Sequence, residues 1–185
     1  MKKPPECQGC VLQKRGVSFT KPTGTGENGV LIIGEGPGAT GAVEGVPFVG
    51  ESGIQLNRSI NRHGYKRDDF GLGNLIQCQP PKNWLDGAPW QREAIEHCRI
   101  HLHKIVKKFK PKVISLQGNL VLRELAGLNG LLPGPKNNAP KRGYVFDVKV
   151  GGHRCLAVPT MHPNFVIGGN QHLAGVHMGD ISRAY

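Results

Sequence analysis

No stretch of this 185-residue chain approaches the roughly 18 consecutive apolar residues that cross a bilayer, so no helical membrane span and no membrane partner are expected. The opening, MKKPPECQGC, has two lysines but no apolar core behind them, and no secretory leader is expected. Acidic residues are scarce, 13 Asp and Glu against 24 Lys and Arg, a formal net charge of +11. Internal repeats are absent, which argues against a solenoid. The G-x-x-x-x-G-K-[ST] phosphate loop is missing too, which weakens a metabolic nucleotide-binding enzyme as a reading. Finally, CQGC at 7–10 has no second short cysteine pair to complete a zinc ribbon.

What remains is a chain long enough to bury a core without disulfide staples, and it reads as a single domain over 1–185. A cytoplasmic, nucleoid-associated setting follows, where thiols stay reduced and clustered cysteines more often hold metal than pair. The basic excess suits a polyanion, since each neutralised phosphate releases counterions. Its local clusters are KIVKKFKPK (104–112) and PKRG (140–143).

An apolar run ending in glycines, GVLIIGEGPG (29–38), predicts a buried parallel strand and a tight loop. SGIQLNRSINRHG (52–64) carries Ile54, Leu56 and Ile60 at helical spacing, and LGNLIQC (72–78) predicts a second strand closed by Pro80 and Pro81. From Pro89 to Phe109, Ile95, Cys98, Leu102, Ile105 and Phe109 recur every three or four residues and predict a long helix stopped by Pro111. KVISLQG (112–118) predicts a third strand, NLVLRELAG a short helix, and residues 130–141 a Pro/Gly/Asn-rich loop. YVFDVKV (144–150) and CLAVPTMHP (155–163) predict two more strands. Strands alternating with helices imply an α/β fold, a three-layer α/β/α sandwich around a central, mostly parallel sheet. In such folds ligands bind beyond the carboxyl ends of the strands, so the loops GEGPG, NLIQCQPP and MHP should hold the chemistry.

Cys78, Cys98 and Cys155 complete the cysteines. Singly, each reads as a small buried hydrophobe. Four thiolates together suffice for tetrahedral zinc or a [4Fe–4S] cluster, and spacing alone leaves the metal open.

CQGC, GEGPG, GVPFVGESG (45–53), NLIQCQPPKN (74–83), Cys98, KPKVISLQG (110–118), RGYVF (142–146) and PTMHP (159–163) follow one another nearly end to end. In that order the chain resembles the family 4, iron–sulfur uracil-DNA glycosylases. The resemblance implies a [4Fe–4S] cluster held by Cys7, Cys10, Cys78 and Cys98, with a structural role, and leaves Cys155 as a strand residue. It implies a monomeric hydrolase that flips uracil from single- or double-stranded DNA and cleaves its N-glycosidic bond, leaving an abasic site for base excision repair. Phe48 matches the residue that stacks on uracil. Asn74 matches the asparagine that reads uracil O4 and N3–H, and His162 the donor to the departing uracil anion. Glu35 and Gly36 match the pocket floor, with Glu35 assisting the attacking water. Pro37, Gly38, Ser52, Pro81, Pro163 and Asn164 are the expected DNA contacts.

The chain departs from that pattern in places. ATGAV (39–43) replaces an acidic stretch, and Val46 and Gly168 stand where arginines are usual. No basic insertion surrounds RGYVF, so hydrolysis is expected rather than a covalent link to the abasic product. The missing acids keep a rival in view, a non-catalytic module that binds uracil or single-stranded DNA on the same fold. A zinc-stabilised nucleic-acid adaptor is a further rival. GDISRAY (179–185) reads as the opening turn of a helix cut short, which suggests a domain excised from a longer replication or repair protein.

Overall fold

The computed structural model describes residues 2–127, 141–142 and 144–184, so the loop expected over 130–141 lies outside the described residues except for Lys141. A short helix α1 (Leu12–Arg15) precedes strand β1 (Val30–Gly34). Helices α2 (Ala39–Glu44) and α3 (Glu51–Asn61) lead to β2 (Gly71–Asn74), and α4 (Gln91–Phe109) leads to β3 (Val113–Gln117). Then come α5 (Asn119–Ala126), the hairpin of β4 (Phe146–Val150) and β5 (His153–Thr160), and helices α6 (Pro163–Ile167) and α7 (Ala174–Ser182).

The strands form one sheet in the order β2-β1-β3-β5-β4, parallel except for the antiparallel β4 at the edge. Side chains alternate across a strand, and β1 shows the consequence. Leu31 and Ile33 enter a core with α4 and α5, whereas Val30 and Ile32 enter another with α3 and α7. The expected three-layer sandwich follows directly. In α4, Ile95, Cys98, Leu102 and Ile105 are all buried, as their spacing requires.

Several boundaries differ from expectation. β2 ends at Asn74 rather than Cys78, because its partner β1 ends at Gly34 and residues 75–78 leave the ladder. Gln77 then accepts from Thr20 N and donates its own N–H to Cys98 Sγ. The long helix starts at Gln91, two residues after Pro89. Ile54 is 53% exposed; the large apolar side chains that α3 buries are Leu56 and Ile60. GDIS (179–182) is the last turn of α7, not the start of another helix; Asp180 and Ile181 are buried against the sheet.

Candidate active site and cysteine cavity

The chain runs from β1 to β2 across one face of the sheet and from β2 to β3 across the other. The strand order therefore reverses at β1, where an open α/β sheet leaves a crevice at its carboxyl edge. A cleft of about 160 Å³ lies there, lined by nine of the expected residues: Glu35, Gly36, Pro37, Gly38, Phe48, Ser52, Asn74, His162 and Asn164. Pro81 and Pro163 are not in its wall; they start the 3₁₀ turn Pro81–Asn83 and helix α6 that carry their neighbours.

Backbone bonds fix the floor. Leu75 N donates to Gly34 O at 2.8 Å and Ile76 N to Glu35 O at 3.1 Å, so the ends of β1 and β2 move as one piece. Gly36 permits this closeness, because a Cβ there would lie 2.9 Å from Ile76 Cγ1. Phe48 is half-buried and sits in the left-handed region at φ 52°, a strained backbone for a side chain of its size. Its carbonyl packs onto α3 so tightly that a Cβ on Gly53 would lie 2.0 Å from Phe48 O. The Phe48 ring and the Asn74 amide both lie against Gly34.

Asn74 is 2% exposed, and its Nδ2 has no hydrogen-bond partner among the described residues. A buried amide left in that state is costly. Here it faces a cleft.

His162 caps the N-terminus of α6, its Nδ1 accepting from Asn164 N at 3.1 Å. That bond puts the ring proton on Nε2. Burial drives its pKa down to about 4, so the imidazole is neutral near pH 7 and serves as a hydrogen-bond donor without charge. Ser52 Oγ donates to Asn164 Oδ1, tying α3 to the same loop.

Gly118, at the end of β3 with φ +104°, lies between Glu35 and His162; a Cβ there would be 3.2 Å from Glu35 Oε1 and 3.3 Å from His162 Cβ. Glu35 is raised to about 7, first by burial and then by the charge of Asp86, with Arg123 opposing. At neutral pH it can therefore hold or release a proton. Of the stretch ATGAV, only Gly41 reaches the cleft, and a Cβ there would lie 2.9 Å from Val46 O. No lysine or arginine lines the cleft among the described residues.

Pro80, in the loop NLIQCQPP expected to hold chemistry, lines the wall too, whereas Asn83, Leu85 and Val49 were missed by the sequence reading. Asn83 is held in the left-handed region at φ 54° and accepts from Gln79 Nε2. The PPKN motif was quoted, but nothing in its pattern points its last residue into a site.

Cys7, Cys10, Cys78 and Cys98 meet on a separate cavity beside Ile76, Ala94 and His101. All four are free thiols, and all but the half-buried Cys10 are buried. Burial first, and then the charges of the neighbouring cysteines, push Cys98 up to about 12 and Cys78 up to about 11. Donors reach the sulfurs: Leu12 N to Cys10 at 3.4 Å and Gln77 N to Cys98 at 3.3 Å. His101 Nε2, which the sequence reading overlooked, is 3.5 Å from Cys7 Sγ. Among the described residues no three His, Cys, Asp or Glu side chains are grouped as ligands of one metal ion. Cys155 lies apart, buried on β5 in the core under α4 and α5.

Comparison with known proteins places this geometry in context. Residues 22–176 match the family model described as the uracil DNA glycosylase superfamily. A type-4 uracil-DNA glycosylase of Pyrobaculum aerophilum is 29% identical over 161 residues, covering 87% of this chain and 79% of that protein. Proteins of the same description from Archaeoglobus fulgidus and Thermotoga maritima are each 27% identical. The first aligns over 87% of this chain and 78% of its own length, the second over 97% and 88%.

Proposed function

This chain belongs to the uracil-DNA glycosylase superfamily, and we propose that it removes uracil from DNA by hydrolysing the N-glycosidic bond. The observation that carries this reading is the buried Asn74 amide whose Nδ2 lacks a partner in the cleft. An amide pairs with the uracil edge, Nδ2 donating to O4 and Oδ1 accepting from N3–H, and is mismatched to cytosine.

The uracil, swung out of the stack, would lie against Phe48 with its edge on Asn74. His162 Nε2–H donates to O2 as the C1′–N1 bond breaks and its electron pair leaves with the base, stabilising the developing anion. Glu35 in its carboxylate form orients a water toward C1′; the oxygen of the water forms the new bond to C1′ and its proton passes to the carboxylate. With no lysine or arginine lining the cleft among the described residues, stabilisation of the leaving anion falls to neutral donors.

Cys7, Cys10, Cys78 and Cys98 suit a [4Fe–4S] cluster better than one zinc ion. Their sulfurs border a cavity instead of converging on a point, and two of them, Cys10 and Cys98, receive backbone N–H donors of the kind that tune such clusters. When bound, the cluster would cross-link the N-terminal segment to the loop after β2 and to α4.

The test is alkali-revealed cleavage of labelled oligonucleotides bearing one uracil, single-stranded or opposite guanine or adenine. Asn74→Ala and His162→Ala serve as controls. Cleavage depressed by both substitutions is the expected result. Tight binding of uracil-DNA with no abasic product would replace this reading by the binding-module alternative.

A further inference from the structure

The loop after β2 places a tryptophan where the cleft does not use it. Asn83 and Leu85 both line the cleft, yet Trp84 between them is 47% exposed. Everything around it is fastened. Leu85 is buried in the main core, Asp86 pairs with Arg123 of α5 at 2.6 Å, and Gly87 N donates to Gln91 Oε1 at 2.7 Å. Trp84 itself donates from Nε1 to Asp86 O at 2.9 Å. Its ring meets Trp90 edge to face at 5.5 Å, and Trp90 is backed by Arg15 at 6.0 Å. Two successive non-glycine residues, Lys82 and Asn83, hold left-handed φ angles of 56° and 54° just before it. Such strain persists only where the surroundings impose it and clusters at functional sites. A rigidly held indole, its polar end already satisfied and nearly half its surface in water, is poorly explained as core.

We propose that Trp84 is a stacking platform for an unpaired nucleobase flanking the flipped uracil. The inference rests on the glycosylase reading of the cleft and adds a second aromatic contact outside it. The chemistry is specific to nucleic acid. Every base offers a π face, and stacking on an aromatic side chain is tolerant of sequence. A neighbour of a base held in the cleft is tethered to it by one phosphodiester link, and Trp84 stands between two residues of the cleft wall. The platform favours single-stranded or locally opened DNA, where flanking bases are free to leave their stack.

The experiment compares wild type, Trp84→Ala and Trp84→Phe on single strands with one uracil, in which either flanking nucleotide is intact or replaced by an abasic spacer. Stacking of one base predicts that Trp84→Ala raises KM about ten-fold with kcat little changed, and that Trp84→Phe recovers most of it. On wild type, the spacer on one side raises KM by the same factor, and on Trp84→Ala it adds nothing. Unchanged KM in Trp84→Ala, or spacer and substitution penalties that multiply in full, would overturn the proposal. The spacer series on wild type decides the matter even if Trp84→Ala folds poorly, since wild-type indifference to both spacers also overturns it. Anisotropy with a labelled strand lacking uracil separates the two readings. Trp84-dependent binding without excision removes the glycosylase reading and keeps the platform, whereas excision with Trp84-independent binding does the reverse.

Discussion

Phe48 and Asn74 meet over the α-carbon of Gly34, where a methyl group would lie 2.7 Å from Phe48 Cζ and 2.8 Å from Asn74 Oδ1. The stacking plate and the edge-reading amide are thus set against each other by the absence of one side chain. Both intruding atoms are side-chain ends, free to move without disturbing the sheet.

Gly34→Ala should therefore leave a folded protein with a misaligned pocket. Overpacking of this kind costs about 1–3 kcal/mol of stability, and displacement of positioning groups by about 1 Å lowers rate roughly a hundred-fold. Thermal unfolding together with kcat/KM on a uracil oligonucleotide checks both parts. A fully active Gly34→Ala would contradict the assigned roles of Phe48 and Asn74.

Asn74→Ala removes the whole uracil-reading edge from a buried position. Leaving the substrate's polar atoms unpaired in the closed site costs about 1–3 kcal/mol for each, so kcat/KM should fall at least ten-fold and the variant should fold normally. The loss should appear with uracil opposite guanine as well as in single strands, because the amide reads the flipped base alone.

Excision should rise with pH, pass through half its maximum near 7 and level off above that. Glu35, held at about 7, acts as the carboxylate. His162, held at about 4, is already neutral well below that. Glu35→Gln should be slow and lose the inflection near 7; an unaltered profile in that variant would assign the inflection elsewhere.

The same carboxylate has a stability consequence. The folded-state pKa of Glu35 lies above its ordinary 4.5, so the folded state holds this proton more tightly and raising pH from 4.5 to 7 costs stability. The loss, complete above 7, is on the order of 3 kcal/mol. Glu35→Gln should gain about that much at pH 8 and almost nothing at pH 4, as read by urea unfolding. His177 runs the opposite way: burial holds it at about 4, so it favours folding as pH rises from 4 toward 6.5.

Cys98→Ser should abolish iron binding without unfolding the chain. The N-terminal segment has its own fastenings. Lys3 Nζ donates to the carbonyls of Leu12, Gln13 and Gly16, Glu6 pairs with Lys104, and Thr20 N donates to Gln77 O at 2.7 Å. Iron and labile sulfide analysis with far-UV circular dichroism checks this. Collapse of the helical signal would mean that the cluster is needed for folding, as in small metal-dependent domains.

Elements with a buried, regular pattern were legible in the sequence. The run VLIIG admits only a strand covered on both faces, and the apolar spacing of α4 admits only one buried stripe. Asn74 and His162 could be located because they end or follow such strands and because the motif order resembles a known family. Other features depend on contacts distant in sequence. Helix α7, AGVHMGDIS, has two glycines and little periodicity; it is helical because it packs on α3 and β5. Its His177 bonds Ser59 at 2.9 Å and Gln117 at 3.4 Å, partners 118 and 60 residues away. Nothing in the sequence pattern marks Trp84, and only its exposure beside the cleft singles it out.

Phe48, Asn74 and His162 come from three different places, the loop between α2 and α3, the end of β2 and the turn after β5, and the backbone bonds of the sheet use none of their side chains. Such a pocket is adjustable in parts. A lineage, or an experimenter, can exchange the plate, the reader or the donor one loop at a time while the scaffold that sets their distances stays fixed. New base preferences should thus be reachable by short walks of single substitutions, with Gly34, Gly36 and Gly53 as the positions that cannot take part.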